Sequence, residues 1–128
     1  MGQKFLIDSN VAIDYLSKSL HAKGAEFVGK VLDDESVISF VTRIEILGYN
    51  TSKTEEKFLQ EFVKLSTVIG INEDVILETI ELRKSTRLKT PDAIIAATAI
   101  VNNLTLLSRN ERDFKNISKL KIVNPHKI

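Results

Sequence analysis

The sequence predicts an α/β fold of three layers, α/β/α, around a mostly parallel sheet. Apolar runs of strand length alternate with stretches of helical periodicity along the chain, the pattern of parallel strands covered on both faces. The 128 residues, 43% hydrophobic and 27% charged, have the balance of an ordinary globular protein and the length of one domain, expected to span residues 1–128. No internal repeat or linker interrupts the alternation.

Residues 4–8 form a short apolar run that stops at the polar Asp8, Ser9 and Asn10, as a buried strand does at a turn. Residues 10–16 place Val11, Ile13 and Leu16 at near-helical spacing, and residues 25–32 repeat the pattern with Phe27, Val28, Val31 and Leu32. Asp33, Asp34 and Glu35 read as a polar turn. Residues 37–40 are a second strand, and Thr42 opens a helix ending near Gly48, with Thr42 and Glu45 spaced as a capping box. Residues 54–65 are amphipathic through Phe58, Leu59, Phe62, Val63 and Leu65, and residues 67–69 are a third strand bounded by Gly70. A helix over residues 72–83 is expected to pack through Val75, Ile76, Ile80 and Leu82, and the basic stretch 83–89 to be a connection. Thr90 suits an N-cap and Pro91 a first helical position, so the Ala- and Ile-rich residues 93–102 form a buried helix. Residues 105–108 are a fourth strand, residues 111–117 at most a short helix, and residues 121–123 a last strand before Pro125.

Composition removes several chemistries. With no cysteine and only His21 and His126, the chain has no thiolate nucleophile, disulfide or multi-His metal site, and any metal must be held by oxygen. No apolar stretch approaches the roughly 20 residues that span a bilayer, and no signal-peptide core follows the amino terminus; a cytoplasmic protein is expected. The net charge of +1 hides an asymmetry: residues 1–80 carry 8 basic against 13 acidic side chains, residues 81–128 carry 10 against 4. Folded together, such halves suit an acidic pocket rimmed by basic groups and a phosphodiester substrate; solvated helix faces are the alternative.

Four acids share a location. Taken singly, Asp8, Glu45, Asp92 and Asp113 each have a structural explanation at a strand end or in a first helical turn. Yet in a parallel sheet the carboxyl ends of the strands and the amino ends of the following helices lie on one edge, where ligands bind. Carboxylates converging there would repel by roughly 4 kcal/mol per close pair at an effective dielectric of about 20. A divalent cation relieves this, and with Ser9, Asn10 and Ser108 as neutral oxygen-bearing neighbours, Mg2+ or Mn2+ is the natural choice.

The segments Phe5-Leu6-Ile7-Asp8-Ser9-Asn10, Thr42-Arg43-Ile44-Glu45, residues 90–96 around Asp92, and residues 107–114 around Asp113 resemble, in order and spacing, the four acidic motifs of PIN-domain ribonucleases, especially the VapC toxins of toxin–antitoxin operons. The resemblance covers almost the whole chain, including residues 120–125. It implies a PIN-like α/β domain and a metal-dependent endoribonuclease that cuts structured RNA, transfer or ribosomal. It also implies a homodimer and neutralisation by a VapB-type antitoxin. Asp8 and Asp92 then hold the principal metal, Glu45 binds it directly or through water, and Asp113 completes the cluster. The fourth motif departs from the pattern, because the position of Asn110 can also carry the acid; Asn110 joins Ser9, Asn10 and Ser108 as a neutral ligand or supporting group. Water activated by the metal is the expected nucleophile. Arg43, Arg83, Lys84, Arg87 and Lys89 are candidate RNA contacts. Two alternatives stay open: a catalytically silent PIN-like domain that binds RNA or protein, and an aspartyl-phosphate phosphatase with Asp8 as acceptor. The second would want another Asp where the chain has Asn10.

Overall fold

The computed structural model describes residues 3–128. The elements run β1 (Phe5–Ile7), α1 (Ser9–Leu16), α2 (Ala22–Asp34), β2 (Val37–Ser39), α3 (Phe40–Leu47), α4 (Lys53–Leu65), β3 (Thr67–Ile69), α5 (Glu73–Ser85), α6 (Thr90–Val101), β4 (Thr105–Leu107), α7 (Glu111–Phe114) and β5 (Ile122–Val123), followed by a 3-10 turn over Pro125–Lys127. Every strand pair is parallel: β1 with β4, β4 with β5, and β2 with β3. The hydrogen-bonded strands form a three-stranded sheet in the order β1, β4, β5 and a two-stranded sheet of β2 and β3, and β1 lies beside β2 without a ladder between them.

Side-chain alternation along the strands divides the interior into two cores. Leu6, Val37 and Leu106 point to a face shared with Val75 and Leu82 of α5 and Ala93, Ile95, Ala96, Ala97 and Ala99 of α6. Ile7, Ile38 and Leu107 point to the other, shared with Val11 and Ala12 of α1, Val28 of α2, and Leu59, Phe62 and Val63 of α4. Successive strand residues face opposite sides, so strands only three residues long each serve both cores, and the three-layer α/β/α arrangement follows. The alanines of α6 are fully buried; their small side chains let the helix lie close on the sheet. No helix of the described residues is long and apolar enough to cross a membrane.

Several boundaries differ from the sequence reading. Asp33 and Asp34 are the last residues of α2 instead of a turn, and Phe40 is the first residue of α3 instead of the end of β2. The cap of α3 is Ser39: its Oγ accepts from the Thr42 amide at 3.1 Å and donates to Thr42 Oγ1 at 3.2 Å. Thr42 is therefore a buried first-turn residue, and the capping box with Glu45 does not form. At α6 the cap position is Lys89, with Thr90 and Pro91 already helical. α5 extends to Ser85, which makes residues 83–85 helical and leaves 86–89 as the connection. Ile76 and Ile80 of α5 are exposed, as are Phe58 and Leu65 of α4; the packing there is carried by Val75, Leu82, Leu59, Phe62 and Val63. α7 stops at Phe114.

Candidate active site

The parallel topology delivers the acids to one edge. Asp8 follows the last residue of β1 and caps α1. Ser108 follows the last residue of β4, and Asn110 and Asp113 belong to the cap and body of α7. Asp92 lies in the first turn of α6, where its charge suits the helix dipole. Glu45 comes from α3, whose amino end follows β2.

Asp8 is the best-held member, 4% exposed. Its Oδ1 accepts from the Ser9 amide at 2.8 Å, and its Oδ2 accepts from Ser108 Oγ at 2.8 Å and Asn10 Nδ2 at 3.2 Å. Burial pushes its carboxyl above the usual range, and the bonds from Ser108, Ser9 and Asn10 oppose that rise. Those partners are themselves fixed: Asn10 Oδ1 accepts from the Arg109 amide at 3.1 Å and Ser108 Oγ from the Asn110 amide at 3.0 Å. Asn10, two residues past Asp8, thus serves as a donor to it, and the second acid of an aspartyl-phosphate site is absent at that position.

Glu45 stands at the open rim, its Oε1 accepting from Ser9 Oγ at 2.9 Å. Its carboxyl is raised by desolvation and by the charges of Asp8 and Asp92, against the bond from Ser9. Asp92 is raised by desolvation and then by Asp8 and Asp113, against Lys89. Glu45 and Asp92 thus feel the charge of Asp8 across a common space, on top of a burial that disfavours ionisation of all three. Asp113 is exposed, and its Oδ2 accepts from Asn110 Nδ2 at 3.0 Å. Among the described residues, no three acids or histidines are gathered closely enough to ligate a single ion as they stand. The donor set still suits a hard divalent cation: it is all oxygen, it is crowded with like charge, and Asp92 faces two other acids with no hydrogen bond to its carboxylate among the described residues.

A groove of about 530 Å³ leads away from Asp92 and Asp113, lined by Arg87, Lys89 and Arg112 together with Thr86, Asn116 and Ile117. This sorts the basic residues the sequence singles out. Arg87 and Lys89 line the groove; Arg43, Arg83 and Lys84 do not. Arg83 instead donates from Nη1 to the Leu88 carbonyl at 2.5 Å, bracing the connection. Arg112 was not among the sequence candidates, although its place one residue before Asp113 puts it at the same edge.

Residues 5–120 match the PIN domain family. Ribonuclease VapC1 of Methanocaldococcus jannaschii is 26% identical over 122 residues, which cover 91% of this chain and 82% of that protein. A chain from a toxin-antitoxin complex of Klebsiella pneumoniae is 30% identical and superposes with a TM-score of 0.76, covering 98% of this chain and 100% of its own length. VapBC-1 from nontypeable Haemophilus influenzae shares the fold, with a TM-score of 0.78 at 22% identity over 96% of this chain and 98% of that one. The chain belongs to the PIN domain family.

Proposed function

We propose that the chain is a single domain, residues 1–128, acting as an endoribonuclease dependent on Mg2+ or Mn2+, which hydrolyses phosphodiester bonds of structured RNA, transfer or ribosomal. The observation that carries this reading is that Asp8 at the end of β1, Glu45 on α3 and Asp92 in the first turn of α6 share one space, each carboxyl raised above the usual range by burial and those of Glu45 and Asp92 further by neighbouring acids. Asp8 and Asp92 hold the principal cation, Glu45 binds it directly or through water, and Asp113 completes the cluster. When bound, the cation neutralises the acids and supplies Lewis-acid stabilisation of charge building on the phosphate. The chain's own groups orient. Ser108 and Asn10 fix Asp8, and Ser9 fixes Glu45. Both site hydroxyls donate their protons to carboxylates that this reading assigns to the cation, Ser108 to Asp8 and Ser9 to Glu45, so water is the attacking group. Arg87, Lys89 and Arg112 contact phosphates along the groove.

Partners follow from the same reading: a VapB-type antitoxin and a second copy of the chain. Exposed Ile44, Leu47, Phe58, Leu65, Ile76, Leu77 and Ile80 on α3, α4 and α5 support self-association. A cytoplasmic location suits an RNA substrate. One observation favours a second reading, a catalytically silent RNA-binding PIN domain: the Asp113 carboxylate is engaged by Asn110, and the acids are not gathered as ligands. Incubating the full chain with transfer and ribosomal RNA, with EDTA or with Mn2+, decides between them. Cleavage that needs Mn2+ and disappears in Asp8→Asn is the expected result; RNA binding without cleavage at any Mn2+ concentration supports the silent domain.

A further inference from the structure

On the far side of α1 from Glu45 lies an ionic cluster around one buried acid. Asp14, 6% exposed, sits one helical turn after Asn10, so the two share a face of α1. Both grip the segment after β4: Asn10 Oδ1 accepts from the Arg109 amide, and Arg109 Nη1 lies 2.9 Å from both carboxylate oxygens of Asp14. His126 Nε2 meets Asp14 Oδ2 at 2.8 Å. Two further bonds tie the same 3-10 turn to the same segment, Asn124 Nδ2 to the Arg109 carbonyl at 3.5 Å and Lys127 Nζ to Glu111 at 3.1 Å. His21 holds the turn from behind: its Nδ1 accepts from the Gly24 amide, which leaves Nε2 to donate to the His126 carbonyl at 3.3 Å.

We propose that Asp14 and Arg109 are positioning residues of the active site, a clasp braced by His126 that holds Ser108 and Asn10 where they donate to Asp8. The inference rests on Asp8 being a metal carboxylate. Asp8 Oδ2 depends on donors from two segments, the start of α1 and the end of β4, and those segments meet at the Arg109 amide and again at its guanidinium. Freeing the guanidinium leaves residues 108–110 tied to the start of α1 only through Asn10 and Asp8, with the Ser108 amide on the Val123 carbonyl and Asn124 on the Arg109 carbonyl holding the other side. The donors then wander, and the Asp8 carboxylate loses the fixed orientation a cation needs, since groups that orient a ligand set its affinity.

The test uses the full chain and three variants, each studied well below its melting temperature. Asp14→Asn keeps size and one acceptor; Arg109→Gln leaves Asp14 its His126 partner; Val63→Ala, in the core of α4, loosens the protein without touching the clasp. In Mn2+ titration calorimetry, Asp14→Asn and Arg109→Gln are expected to bind about 10- to 100-fold more weakly, while Val63→Ala binds as the wild type does. Hydrogen exchange at the Arg109 and Asn110 amides should quicken in the first two variants and not in the third. Wild-type Mn2+ affinity in folded Asp14→Asn or Arg109→Gln overturns the proposal. A wild type that binds no Mn2+ refutes the metal reading instead, and the clasp then stands or falls on the exchange rates.

Discussion

Glu45 is the residue whose role changes most between sequence and structure. Read with Thr42 it completes a capping box, but Ser39 takes the capping position and Thr42 is buried inside the first turn. Glu45 is thereby released from local duty, and its hydrogen bond goes to Ser9, a neighbour of Asp8. Glu45→Gln should keep the fold and cut RNA cleavage by roughly 100-fold or more, the scale on which losing a charged group at a developing charge registers. Ser39→Ala should do the reverse, costing about 0.5–2 kcal/mol of stability with cleavage retained. Full activity in Glu45→Gln beside an inactive Asp8→Asn control would remove Glu45 from the site. The raised carboxyls of Asp8, Glu45 and Asp92 also set a pH dependence. A carboxyl that holds its proton more tightly when folded stabilises the fold below the ordinary carboxylate range, and that contribution is lost as pH rises through its raised value. Metal-free protein should therefore lose part of its stability on going from mildly acidic to neutral pH, and Asp92→Asn should flatten that decline in melting curves. Mn2+ affinity should climb over the same window, because ligation requires deprotonated acids.

At the scale of elements, the strands and helices and their succession along the chain were legible because apolar spacing is a local property, whereas caps depended on choices the spacing leaves open. Ser39 and Thr42 are both competent caps three residues apart; the bond from the Thr42 amide to Ser39 Oγ decides between them. Ile76 and Ile80 looked like packing residues because they match Val75 and Leu82 in hydrophobicity, but α5 is apolar on more than one face and only Val75 and Leu82 reach α6 and the sheet. The basic stretch before α6 divides for a similar reason: Arg83 and Lys84 belong to the last turn of α5, and Arg87 and Lys89 follow it into the groove. Replacing Arg87, Lys89 or Arg112 by Ala should weaken RNA binding across sequences and lower the salt slope by about one for each phosphate left unneutralised. Lys84→Ala, outside the groove, should leave the slope unchanged; equal effects at all four positions would mean a diffuse field instead of a track.

At the scale of the whole molecule, the charge asymmetry of the sequence has a spatial meaning. The acidic half supplies Asp8 and Glu45, the basic half supplies the groove along with Asp92 and Asp113, and the parallel sheet brings them to one edge. That much could be inferred from order and spacing. The clasp could not, because its bonds join residues 95 and 112 positions apart and nothing local to His126 announces them. The exposed apolar side chains of α3, α4 and α5 should appear in light scattering as a dimer at tens of micromolar. The metal claim has the most direct test, differential scanning calorimetry with and without millimolar Mn2+. A cation bound only by the native state stabilises it by about 2.7 kcal/mol at 100 times its dissociation constant. The wild type should melt several degrees higher with Mn2+, and Asp92→Asn should lose most of that gain. Identical melting of the wild type with and without Mn2+ would mean that the acids at the sheet edge are not a metal site.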